Sequence, residues 1–140
     1  MPTVKVTFDQ TTNPWTILLD TNPIDIARNA NVQSIHWHLA GNAYAGQFMP
    51  VSGAQPGFEW NGPKPPPFDP PTLSTQKKAL TIKDHHHNAA SKGEWLYILR
   101  VLFDGTVYKT IITKKIAPLA KTASGGMSIL GSQNPTIKNN

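Results

Sequence analysis

Apolar positions in this chain recur every second residue, in short runs broken by proline, glycine and asparagine. In VKVTF, Val4, Val6 and Phe8 alternate with polar neighbours, which predicts a first strand. WTILL at 15–19 predicts a second, closed by the turn sequence Asp20-Thr21-Asn22-Pro23. DIARNA is too short to read as a helix. Across 31–41, Ile35, Trp37 and Leu39 share one face and Ser34, His36 and His38 the other. Gln47-Phe48-Met49 predicts a short strand. KKALTIK at 77–83 alternates through Lys78, Leu80 and Ile82.

EWLYILRVLF at 94–103 is the longest apolar run. Trp95, Tyr97, Leu99 and Val101 point one way, and Leu96, Ile98 and Leu102 the other. Both faces are covered, which predicts a central strand. Asp104-Gly105 is a hairpin turn signal, so 106–116 returns as its partner. MSIL at 127–130 and the tail add further short strands.

No segment sustains a helical period, and 13 prolines with 10 glycines oppose long helices. The reading is an all-β fold, a β-sandwich of about seven to nine short, mostly antiparallel strands, with a small barrel as competitor. The 140 residues suffice for one domain, 1–140. Residues 50–72 interrupt the pattern with a proline-rich stretch that cannot be sheet interior. Phe58, Trp60 and Phe68 lie within it. They predict an irregular loop pinned by aromatic anchors, with a short edge strand at Phe58–Trp60.

The chain has no cysteine, which excludes disulfides, thiol nucleophiles and thiolate metal sites and fits a reducing, cytoplasmic setting. The start MPTVKVTFDQ has no signal-peptide pattern, and no run is long enough to span a membrane. Net charge is +5, but the 13 Lys and Arg residues are dispersed apart from Lys77-Lys78 and Lys114-Lys115, so nucleic acid is not expected as a partner.

The five histidines form two clusters, His36-x-His38 and His85-His86-His87. His36 and His38 lie about 6.5–7 Å apart on one strand face, a spacing that suits two imidazoles on one metal. His85 or His87 would be a third ligand, with Asp84 or Glu59 beyond. The plainer reading is polar side chains on a solvated face and a surface turn, with no cofactor. No two carboxylates share a strand face at alternate positions, and no phosphate cradle, His-Glu-x-x-His or Gly-x-Ser-x-Gly motif occurs.

The chain closes with SILGSQNPTIKNN. An asparagine amide can attack its own backbone carbonyl, forming a five-membered ring and breaking the bond to the next residue. Ordinary deamidation needs the next residue's N–H, and Pro135 has none. At Asn134-Pro135, chain cleavage is the route left open. It needs an aligned amide, a donor for the oxyanion and an acid for the departing nitrogen. Lys109, Lys92 and Lys114 are candidates for capturing the activated carbonyl as an isopeptide. The plainer reading is a turn, since Asn-Pro is a common turn signal.

Ile35-His36-Trp37-His38-Leu39, then Glu94-Trp95-Leu96-Tyr97-Ile98-Leu99, then the ending Asn134-Pro135-Thr136-Ile137-Lys138-Asn139 together resemble the small bacterial DP-EP family. The resemblance implies a β-sandwich with an Asp-Pro-x-Ile-x-Asn type ending and autoproteolysis at the Asp-Pro bond by an aspartic-type mechanism. This chain departs from the pattern, with Asn134 in place of aspartate and a polar insertion at 117–126. Three readings therefore compete. The first is a self-processing sandwich reacting at 134–135. The second is a non-enzymatic binding or assembly module using loop 50–72 as its contact surface, with a protein partner or a second copy. The third is a histidine-metal protein.

Overall fold

A computed structural model describes residues 2–112 and 134–140. Eleven strands run through them: β1 (Thr3–Asp9), β2 (Thr16–Leu19), β3 (Ile24–Ile26), β4 (Gln33–Leu39), β5 (Gln47–Phe48), β6 (Phe58–Trp60), β7 (Thr72–Leu73), β8 (Ala79–Asp84), β9 (Gly93–Phe103), β10 (Thr106–Lys109) and β11 (Thr136–Asn139). The fold is all-β, with two sheets packed as a sandwich. The strand number exceeds the seven to nine read from the sequence because Ile24–Ile26 and Thr72–Leu73 pair over only two or three residues, too few to show a period.

One sheet runs β2-β1-β4-β8-β7 and the other β10-β9-β11-β3, with β5 and β6 also on β9. The β1–β4 and β11–β3 pairs are parallel and the remaining pairs antiparallel. Strand β9 is central, as its two apolar faces predict. The main-chain N–H groups of Tyr97 and Leu99 point towards Pro135 and Thr110, whereas Leu96 and Arg100 bond to Asn61 and Gly57. Successive residues thus serve opposite edges, with β11 and β10 along one and β6 and β5 along the other.

The alternation read from the sequence places the core. Val4, Val6, Phe8, Ile35, Trp37, Leu39, Leu80 and Ile82 face inward from the first sheet, and Tyr97, Leu99, Val101 and Ile137 from the second. Trp95 is only half-buried at the end of β9. The hairpin turn is formed as expected, with Asp104 and Gly105 both at positive φ (51° and 80°). Strand β10 ends at Lys109, where Thr110 turns its hydroxyl onto the Leu99 N–H, and residues 113–116 of the expected return strand lie outside the described residues. The MSIL segment lies outside the described residues.

Loop 50–72 is pinned by aromatic side chains, as read, but these do not form a contact surface. Phe58 and Phe68 are buried in the core and Trp60 packs between them, at 5.1 and 4.8 Å. Phe58 and Phe68 thus anchor the loop from below, while residues 50–55 and 61–64 stay exposed.

Candidate functional site at the C-terminal strand

Strand β11 is inserted between β9 and β3, and its sequence explains how. Pro135, Ile137 and Asn139 are buried in alternation, with Thr136 and Lys138 between them turned outward. The alternate positions of the tail motif are therefore the inward face of the last strand. Ile137 fills the apolar core, and Asn139 carries an amide into it.

At the start of this strand, Asn134 has φ 52°, a left-handed conformation. The proline ring after it favours extended backbone, so this residue stores strain of roughly 1–3 kcal/mol. The neighbouring atoms hold it in place. Asn134 N–H donates to the Ile111 carbonyl at 2.7 Å, and the Pro135 carbonyl accepts the Tyr97 N–H at 3.0 Å. Thr136 N–H donates to Asn22 Oδ1 at 3.0 Å. The Thr136 hydroxyl donates to the Asn134 carbonyl oxygen at 2.7 Å, the carbonyl of the Asn134-Pro135 bond itself.

The two lysines named from the sequence stand differently towards this bond. Lys92 precedes Gly93, which pairs with Asn139, so it lies at the far end of β11. Five residues of strand separate it from Asn134, about 16 Å. The expectation that Lys92 reaches the bond is corrected by this register. Lys109 lies two residues from Ile111, on the strand edge that meets Asn134. Lys114 lies outside the described residues.

The far end of β11 holds a buried polar cluster that sequence reasoning did not assemble. Asn139 Nδ2 donates to Asp84 Oδ1 at 3.1 Å and to the Ser91 carbonyl at 2.9 Å. His86 Nδ1 meets the Ser91 hydroxyl at 2.6 Å, and its Nε2 meets the main-chain oxygen of Asn140 at 2.7 Å. Ser91 ends a short 3-10 turn, Ala89–Ser91, whose capping box joins it to Asn88. Asp84 and His86 are both 0% exposed. Burial pushes the Asp84 carboxyl above its ordinary range, against the opposing pull of Asn139, His86, His85 and His87. The sequence carried a signal for this cluster: Asn88-x-x-Ser91 is a capping pattern following the histidine run.

The histidines do not form the metal site expected from their spacing. Gln33 pairs with Asp84, so His85 and His87 lie beyond the end of β8, whereas His36 and His38 sit opposite Thr81 and Ala79. Three or more residues of strand, about 10 Å, part the two clusters. His36 instead bonds Thr81 Oγ1 at 2.8 Å, His85 bonds Asp69 at 3.0 Å, and His87 bonds the Asn29 carbonyl at 2.8 Å. Glu59 is paired with Arg100 at 2.7 Å. Among the described residues no three His, Cys, Asp or Glu side chains are grouped to hold an ion. That corrects the ligand set His36, His38, His85 and His87.

Among the described residues no helix is long and apolar enough to cross a membrane. No family model matches the chain, and no curated protein or solved structure gives a significant match. The resemblance to the DP-EP family rests on the residues that carry it.

Proposed function

We propose that this chain is a self-processing β-sandwich protein, cytoplasmic and without a cofactor, whose reactive bond is Asn134-Pro135. One observation carries the reading. A residue held at φ 52° before a proline presents its carbonyl oxygen to the Thr136 hydroxyl at 2.7 Å. That donor polarises the carbonyl and stabilises the oxyanion formed when it is attacked. The ladder bonds on either side keep the bond in one geometry, which lowers the entropic cost of reaction.

In the step proposed, the Asn134 amide nitrogen attacks the Asn134 carbonyl carbon. The new C–N bond closes a succinimide, the bond to Pro135 breaks, and the proton lost by the amide is returned to the proline nitrogen. The two products together have the mass of the intact chain, and water later opens the ring. Cleavage also releases the strain at Asn134. The product beginning at Pro135 stays seated through Ile137 and Asn139.

Intact mass under denaturing conditions tests this after prolonged incubation from acidic to neutral pH. The expected result is a fragment beginning at Pro135, with Lys109 searched by peptide mapping for a crosslink. A single uncleaved mass overturns the reading. Asn134→Asp then separates absent machinery from a missing reacting group.

A second reading is favoured by a separate observation. Because Pro135, Ile137 and Asn139 are all seated inward, the tail motif also serves as a structural latch in an inert sandwich. The same mass measurement distinguishes the two.

A further inference from the structure

Two buried oxygens in the C-terminal cluster have no hydrogen-bond partner among the described residues, Asp84 Oδ2 and Asn139 Oδ1. They belong to side chains already joined by one hydrogen bond, from Asn139 Nδ2 to Asp84 Oδ1. An ionised Asp84 would leave both of these acceptors buried without a donor, which is costly. One proton removes both faults. Placed on Asp84 Oδ2, it would supply the donor that Asn139 Oδ1 lacks and, beside the existing Nδ2–Oδ1 bond, would close a two-bond ring between the acid and the amide.

We propose that Asp84 is a neutral carboxylic acid in the folded protein, paired through both oxygens with the Asn139 amide, and that this pair is a proton-dependent latch on the C-terminal strand.

The surrounding charges do not supply an alternative partner. His86, the nearest cation source, has its ring nitrogens engaged by the Ser91 hydroxyl and the Asn140 main-chain oxygen. His85 is turned to Asp69 and His87 to Asn29. On the elements around the pair, Lys83, Lys92 and Glu94 are exposed. Lys138 alternates with Asn139 and points away from it. On β4 the residue opposite Asp84 is Gln33, which is uncharged. The imidazoles favour the carboxylate from a distance, but burial outweighs them.

The sign follows from linkage. A carboxyl that keeps its proton longer in the folded state stabilises the fold fully below the ordinary aspartate range. That contribution is lost as pH rises through the folded value. Ionisation then opposes two sets of acceptors and loosens Asn139, and with it the seat of β11.

Asp84→Asn is the decisive variant in the full-length chain. An amide at 84 donates to Asn139 Oδ1 and accepts from its Nδ2, reproducing the ring without a titrating proton. Denaturant midpoints from about pH 5 to about pH 8 should fall for the wild type relative to Asp84→Asn. The variant should hold or exceed the wild-type midpoint at the alkaline end, while Asp84→Ala loses stability throughout. Carbon-13 NMR of the Asp84 carboxyl should show a titration above the ordinary range, or none across it. An Asp84→Asn midpoint as low as that of Asp84→Ala overturns the proposal. So does a carboxyl signal already ionised at the ordinary aspartate value.

Discussion

Trp37 Nε1 donates to the hydroxyl oxygen of Tyr97 at 3.1 Å, and the bond crosses from one sheet to the other through the middle of the core. Both residues are 0% exposed, and their rings meet edge-on at 5.3 Å. Phe58 stacks on Tyr97 at 5.4 Å and tilts against Trp37 at 5.2 Å, closing an aromatic triangle. The indole N–H could not otherwise be buried without penalty. Burial pushes the Tyr97 phenol well above its ordinary range, so it stays neutral.

Tyr97→Phe keeps the ring packing and leaves the Trp37 N–H unpaired. It should lower stability by roughly 1–3 kcal/mol. Trp37→Ala opens a cavity and should cost roughly 3–5 kcal/mol. Urea denaturation followed by far-UV circular dichroism measures both. An unchanged midpoint in Trp37→Ala would show that the two sheets do not meet through this residue.

Thr136→Val removes the hydroxyl from the Asn134 carbonyl while keeping a β-branched residue in the strand. If cleavage proceeds through that carbonyl, its rate should drop by about 100-fold. A time course of intact mass, wild type against variant, reports this. Equal rates would remove Thr136 from the chemistry.

His36→Ala combined with His38→Ala should cost no more than about 1.5 kcal/mol, as both are partly exposed and only the His36 bond to Thr81 is lost. Neither zinc nor copper should raise the melting temperature of the wild type through these residues. A metal-induced shift lost in the double variant would bring back the histidine site.

Gly57→Ala should destabilise the protein strongly. A Cβ at this position would run into the Met49 carbonyl, which is backbone and cannot rotate aside. Gly57 also donates to Pro50 and accepts from Arg100, so the residue cannot back away without breaking the loop's tie to β9. Thermal melting should show the loss, and a variant that melts with the wild type would place the loop elsewhere.

Protonating Asp69 should weaken its contact with His85. The hydrogen bond from His85 holds the Asp69 carboxyl below its ordinary value, so the contact is present above that value and is lost as pH falls through the lowered one. Both groups are substantially exposed, and the effect on stability should be slight. NMR titration of the Asp69 carboxyl gives the direction, and a midpoint above the ordinary value would contradict it.

The alternating runs by themselves determined an all-β chain and its inward faces, and the two separate sheets decided the sandwich over a barrel. Val4, Ile35, Trp37, Tyr97 and Leu99 stand inward because a strand's side chains alternate, and a period of two is local information. The Asp104-Gly105 turn and the central place of β9 were legible for the same reason. That deamidation through the following N–H is closed at Asn134-Pro135 was also legible, since proline's missing N–H is a covalent fact. What the sequence left open was which distant residues meet. Only the β4–β8 register decided that His36 and His38 stand apart from His85 and His87. Only the seating of β11 between β9 and β3 brought Asn139 onto Asp84, 55 positions earlier, and placed Lys92 at the wrong end of the strand. Register depends on the whole core closing at once, and no run of neighbouring residues encodes it.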